Sequence, residues 1–196
     1  MMEQIKNYLE ESPHEIALVG PLAEGITINE SIPTLYIDAG AKFKKIKGYS
    51  LGDNDSFDGK LDYILPAKKD FSDLSFALSL IPKKTKKLWL YGFLGGRRDH
   101  EFINFGECAR FLDQRTQTQI VFDPHTSIFS QGEWSLNIEC EFSIVSFVRQ
   151  RVSLIGTCEY PLNNDWLEPH SSHGLSNHGS GKISLKSEKP LILFLN

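Results

Sequence analysis

Long apolar runs are missing from this 196-residue chain, and nothing in it approaches the ~20 apolar residues of a membrane span. The stretch Met1 to Pro13 is polar and has no apolar signal core, so the expected location is the cytoplasm. Positive charge is not in excess either. The 21 Lys and Arg against 25 Asp and Glu leave a formal net charge of −4, which argues against a general nucleic-acid or anionic-membrane surface. Cysteine is scarce. Cys108, Cys140 and Cys158 are odd in number, far apart and without a C-x-x-C pair, which argues against a disulfide framework and fits a reducing compartment. No internal repeat or low-complexity tract interrupts the chain.

What is present is ordinary globular material, with 40% hydrophobic and 23% charged residues. The length suits one large domain or two modest ones. In the first part, short apolar runs end at turn residues. Glu15–Val19 stops at Gly20-Pro21, Thr34–Ile37 at Asp38, Tyr49–Leu51 at Gly52-Asp53, and Tyr63–Leu65 runs into Pro66. Leu88–Tyr91 stops at Gly92 and Gln119–Phe122 at Asp123-Pro124. Apolar residues at helical spacing predict helices over 2–11 (Ile5, Tyr8, Leu9), 73–81 with Ser72 as N-cap, and 100–112. Strands alternating with helices predict an α/β domain built on a mostly parallel sheet. The basic run Lys83–Lys87 lies between a helix and a strand and reads as a solvated connection.

After Asp123 the texture changes. Ser127–Ser130, Trp134–Ile138, Glu141–Val148, Ser153–Cys158, Lys182–Lys186 and Leu191–Leu195 are short strand patterns with turns between them and no helix pattern. This predicts an antiparallel β-sandwich domain over 125–196, following an α/β domain over 1–124.

Ligands of open parallel sheets gather at the carboxyl ends of the strands. Asp38, Asp53, Asp55, Asp70, Gly95 and Gly96 all follow predicted strands. In Gly52-Asp53-Asn54-Asp55-Ser56 the two acids sit at i and i+2, so an extended backbone points both the same way, toward one hard cation such as Mg²⁺. The glycine is expected to let the backbone turn sharply there. An acidic turn would read the same in isolation; the position after a strand favours the metal. In Asp70-Phe71-Ser72-Asp73, the Asp70 carboxylate hangs in the loop before a helix, where it can approach the same cation. Gly95-Gly96-Arg97-Arg98-Asp99-His100, with Asn104 beyond, offers a backbone that can approach a ligand closely and guanidinium forks for phosphate oxygens. It matches neither the P-loop nor the dinucleotide glycine pattern.

Other residues have plainer readings. His170, His173 and His178 lie in a Ser/Gly-rich loop, yet no cysteine or acid completes a zinc set. Trp166 is expected in the sandwich core, the alternative being a flat partner at a dimer interface. Cys108 is expected in the core, and His100 is expected to orient a helix start or a nucleotide.

Taken in order, Gly52-Asp53-x-Asp55-Ser56, Asp70-x-Ser72-Asp73 and Gly95-Gly96-Arg97-x-Asp99-His100 with Asn104 resemble the motifs of the thiamine pyrophosphokinase family. Asp38-Ala39-Gly40-Ala41 is similar to that family's Asp-Gly-Gly-Ala turn, with alanine in place of the first glycine. Tyr160-Pro161-Leu162, Gly174-Leu175-Ser176-Asn177 and the tail Gly179–Leu195 resemble its carboxy-terminal elements, so the likeness covers roughly 15–195. The resemblance implies a homodimeric enzyme that transfers pyrophosphate from ATP to thiamine, yielding thiamine diphosphate and AMP. It implies Mg²⁺ held by Asp53, Asp55 and Asp70, and nucleotide contacts from Asp38, Gly95, Gly96, Arg97, Asp99 and Asn104. It places thiamine against Ser176 and Asn177. Either Asp73 or Asp99 would take the proton of the attacking hydroxyl. Ser72 stands where threonine is usual, and Ser75 where many bacterial relatives carry glutamate. Alternatives are a pyrophosphokinase for another hydroxymethyl heterocycle such as a pterin, a non-catalytic nucleotide or thiamine binder, and a metal-dependent nucleotide hydrolase.

Overall fold

The structure, a computed structural model, describes residues 1–196 apart from Ile46, Asn54, Ser56, Phe57 and His170. It divides into two compact units, Met1–Cys108 and Ala109–Asn196.

The first unit contains α1 (Met2–Glu11), β1 (Glu15–Val19), β2 (Thr34–Ile37), a 3-10 turn at Asp38–Phe43, β3 (Tyr49–Gly52), β4 (Tyr63–Ile64), α2 (Asp73–Ser79) and β5 (Lys87–Tyr91). It also holds most of α3 (Arg98–Leu112), the helix in which the division falls. The strands run parallel in the order β4-β3-β2-β1-β5. Both faces of the central strands are covered. Every residue of β2, and every residue of β1 after Glu15, is buried, which is why these strands read as unbroken apolar runs. Ile5 and Leu9 of α1 are fully buried, and α2 packs on β2 and β3. Ser72 caps α2 as expected, its hydroxyl oxygen accepting from the Ser75 amide at 2.9 Å. The same hydroxyl donates to Glu107 of α3 at 2.5 Å.

The second unit holds β6 (Gln119–Asp123), β7 (Thr126–Phe129), β8 (Gly132–Ile138), β9 (Glu141–Val145), β10 (Gln150–Cys158), β11 (Leu162–Leu167), β12 (Asn177–Ser187) and β13 (Leu191–Leu195). All pairings among these strands are antiparallel. One set runs β6-β7-β13-β9 and meets the first two residues of β12. The rest of β12 lies between β8 and β10, with β11 outside β10. One buried cluster draws on both sets, including Phe129, Ile144 and Leu193 from the first and Ile138, Leu154 and Ile183 from the second. The chain is therefore mixed α/β, as expected, and among the described residues no helix is long and apolar enough to cross a membrane.

Three details differ from the sequence reading. Strand β11 was not expected: its four middle residues, Asn163 to Trp166, are all exposed, and only Leu162 and Leu167 are buried. An edge strand with polar residues on both faces carries no period-two signal. Trp166 lies in that edge strand and is 41% exposed, not in the core. The guanidinium groups of Arg149 and Arg151 lie 4.2 and 4.0 Å from its ring centroid, a cation–π arrangement that suits an exposed indole. Gly52 is the last residue of β3 and does not make a left-handed turn. Cys108, by contrast, is fully buried as expected, and all three cysteines are free.

Candidate active site

A cleft of about 400 Å³ opens in the first unit at the carboxyl ends of the parallel strands. Each strand supplies its next residues to the wall: Pro21 after β1, Asp38 after β2, Asp53 and Asp55 after β3, Lys69 after β4, Phe93 after β5. Ser72 and Asp73 at the start of α2, and His100 and Asn104 in α3, close it. The sheet topology creates this position, because β2 to β4 lie on one side of β1 and β5 on the other.

Asp38 is placed by two missing side chains. Its φ of +51° lies in the left-handed region, which aspartate tolerates better than most residues. A Cβ on Gly52 would sit 2.9 Å from the Asp38 Cα, so glycine at the end of β3 admits the Asp38 backbone. A Cβ on Gly40 would sit 2.1 Å from the Val19 carbonyl oxygen, so glycine there lets the 3-10 turn rest on the end of β1. The result is a group of three carboxylates, Asp38, Asp53 and Asp55, with oxygens all within 4.8 Å of one another.

That span is slightly wider than the ~4.2 Å across an octahedral Mg²⁺ shell. All the donors are oxygen, and movements of a few tenths of an ångström would close the difference, so the residues present fit Mg²⁺. Asp70 is exposed and belongs neither to this group nor to the cleft wall. Its neighbour Lys69 points in. The Lys69 ammonium lies 2.6 Å from Asp53 and 3.2 Å from Asp73, with only 8% of its side chain exposed. The hydrogen bond from Lys69 holds the Asp53 carboxyl below the usual carboxylate range, despite partial burial. For Asp73, burial dominates and pushes the carboxyl up, although Lys69 opposes it; the charges of Asp53 and Asp38 add to the rise.

A neighbouring lobe of about 210 Å³ shares Pro21, Phe93, His100 and Asn104 with the cleft and adds Leu22, Gly96, Arg97 and Glu101. Gly95 adopts φ +93°, and its amide donates to the Glu101 carboxylate. The Asn104 amide donates to the Phe93 carbonyl at 3.0 Å, so this side chain braces the glycine loop. Arg97 and Asp99 form an exposed bidentate pair at 2.6 and 3.2 Å, and the guanidinium holds the Asp99 carboxyl down to about 2.

The remaining expected residues lie in the second unit. Ser176 is exposed, has φ +53°, and its amide donates to the Ser143 hydroxyl. Asn177 is buried; its amide donates to the Tyr160 carbonyl at 2.7 Å and its oxygen accepts from the Tyr160 amide at 3.0 Å. Among the described residues, the Asp38, Asp53 and Asp55 group is the one with metal-ligand convergence, and neither His173 nor His178 takes part in it. His170 and Ser56 lie outside the described residues. Sequence reasoning missed Lys69, Pro21, Leu22 and Glu101. None of the four carried a local signal, since Lys69 lies in the loop before α2, where helical ion-pair spacing does not apply.

No family model matches the chain, and no curated protein matches it in sequence. Solved structures do match. It superposes on a thiamine pyrophosphokinase from Bacillus subtilis with a TM-score of 0.69 and 22% identity, covering 93% of this chain and 98% of that one. For the thiamin pyrophosphokinase from Geobacillus thermodenitrificans the TM-score is 0.71 at 20% identity, covering 93% and 97%. For that from Candida albicans it is 0.70 at 13% identity, covering 98% and 92%. The chain thus has the fold of the thiamine pyrophosphokinases over nearly its whole length.

Proposed function

We propose that this protein is a Mg²⁺-dependent thiamine pyrophosphokinase, transferring pyrophosphate from ATP to the hydroxyl of thiamine and releasing AMP. The observation that carries the reading is the convergence of Asp38, Asp53 and Asp55 in a strand-end cleft of this particular fold. Those three carboxylates would hold Mg²⁺; Asp70, the third ligand that the motif resemblance implies, is exposed and stands outside the group, and Asp38 takes its place. The cation supplies neutralisation of phosphate charge, the main requirement of phosphoryl-type transfer. The lobe lined by Gly92, Gly96 and Arg97 would receive the nucleotide, with Gly95 in the same loop, and Asn104 would keep the Gly92–Gly96 loop in shape through Phe93. Arg97 would turn from Asp99 to the phosphates.

Of the two candidate proton acceptors, Asp73 is the better. It lines the cleft and its raised pKa makes it the stronger base, whereas Asp99 is exposed and held at about 2. Ser176 and Asn177 would contact thiamine, Asn177 acting through the Tyr160 main chain it grips. In this reading the chain works as a cytoplasmic homodimer, with residues 1–124 binding nucleotide and 125–196 serving thiamine binding and dimerisation.

The test is chromatographic product analysis after incubation with Mg-ATP and either thiamine, a hydroxymethyl pterin or no acceptor. Equal amounts of AMP and thiamine diphosphate are expected with thiamine. AMP formed only with the pterin would reassign the acceptor. AMP formed without any acceptor would make the protein a hydrolase, and no AMP under any condition would leave a binding protein.

A further inference from the structure

The least expected group in the cleft is a cation that belongs to the chain itself. Lys69 follows the short strand β4 and places its ammonium between Asp53, at the end of β3, and Asp73, in the first turn of α2. Its side chain is 8% exposed and those of both partners 15%, so solvent screens the three charges poorly. Four carboxylates line this cleft, Asp38, Asp53, Asp55 and Asp73, and Lys69 is the one lysine or arginine among its lining residues. The ammonium therefore sits on Oδ2 of the carboxylate that a divalent cation would share, and the like charges of the two cations set them in competition for Asp53.

We propose that Lys69 is an exchangeable internal counter-ion. It holds Asp53 and Asp73 together before ligands bind, yields Asp53 when a divalent cation binds, and then pairs with the phosphates of the incoming nucleotide. The lysine side chain suits this exchange, because it is a point charge on a flexible four-carbon stem, without the fixed fork of arginine. Its partner Asp73 is reached at i+4, so the ammonium can keep one anchor while it releases the other. This inference rests on the metal and nucleotide reading given above and assigns a positioning role, with two effects of opposite sign. Removing Lys69 frees Asp53 for the metal and deprives the phosphates of a cation.

The experiment measures Mn²⁺ binding by electron paramagnetic resonance, without nucleotide, in the wild-type protein and the Lys69→Met, Lys69→Gln and Asp55→Asn variants. Binding of α,β-methylene-ATP, whose scissile linkage cannot be cleaved, is measured in parallel by calorimetry. Lys69→Met is expected to bind Mn²⁺ about tenfold more tightly than wild type and the analogue at least about tenfold more weakly. Lys69→Gln keeps much of the volume and a hydrogen-bond donor, so it reports the same two signs if the methionine variant does not fold. Equal or weaker Mn²⁺ binding in the Lys69 variants, with wild-type binding that Asp55→Asn abolishes, would overturn the counter-ion and leave the metal site standing. Absence of Mn²⁺ binding in the wild-type protein, or binding insensitive to Asp55→Asn, would overturn the metal reading and this inference with it. A purely structural lysine would weaken both ligands together, and that result also overturns the proposal.

Discussion

Gly40→Ala is expected to damage stability and activity together, and the size of the effect follows from three distances. The added Cβ would meet the Val19 carbonyl oxygen at 2.1 Å, the Val19 carbonyl carbon at 2.9 Å and the Gly20 carbonyl carbon at 3.0 Å. All three are backbone atoms at the end of a buried strand, so none can rotate away. Carbon and oxygen rest at ~3.3 Å or more, so the 3-10 turn must retreat by about 1 Å. Overpacking of this kind costs about 1–3 kcal/mol, which for a chain of this length is roughly 2–4 °C of melting temperature per kcal/mol. Asp38 opens the same turn, and a displacement near 1 Å in a catalytic group lowers turnover by about 100-fold. Circular dichroism melting and the rate of AMP release with thiamine read the two effects. A variant with the wild-type melting temperature and rate would show that the turn is not held against β1 as described.

Three further outcomes test other links. Asp55→Asn should lower AMP release by at least about 100-fold, as loss of a charged metal ligand does, while leaving the melting curve nearly unchanged, because the side chain is exposed; full activity would remove Asp55 from the site. Ser72→Ala removes the cap on the Ser75 amide and the hydrogen bond to Glu107, and should cost about 1–2 kcal/mol in denaturant unfolding. An unchanged midpoint would mean the cap contributes nothing. Burial would raise the Asp62 carboxyl, but hydrogen bonds from Lys44 at 2.5 Å and from the Ser50 amide and hydroxyl hold it below the usual range. A depressed folded pKa stabilises above the unfolded value of about 3.9 and loses that contribution as pH falls through the folded value. Asp62→Asn should therefore be about 1 kcal/mol less stable than wild type at pH 7, and the gap should shrink below about pH 4. A gap constant down to pH 3 would refute the assignment.

Much of this was legible along the chain. Parallel strands buried on both faces leave continuous apolar runs, so β1 and β2 could be read directly. Ser72 announced its helix because a cap acts within three residues. The strand-end positions of Asp53, Asp55, Gly95 and Gly96 followed from alternation and turn residues, and the order of the motifs carried the resemblance. Elements without a local pattern were hidden. Strand β11 is polar on both faces, and Trp166 is exposed because two arginines cover its ring, a choice that hydrophobicity alone does not predict.

What the sequence determined, then, is everything whose cause lies within a few residues: the alternation of elements, the helix starts, and the acids at strand ends. What only the tertiary structure decided is which of those acids meet. Asp38 joins Asp53 and Asp55 because Gly40 and Gly52, twelve residues apart, both omit a side chain where backbone must pass backbone. Lys69, unmarked by any motif, enters because the turn after β4 aims it inward while Asp70 faces out. Proximity across strands is set by packing, and packing depends on distances that no spacing along the chain encodes.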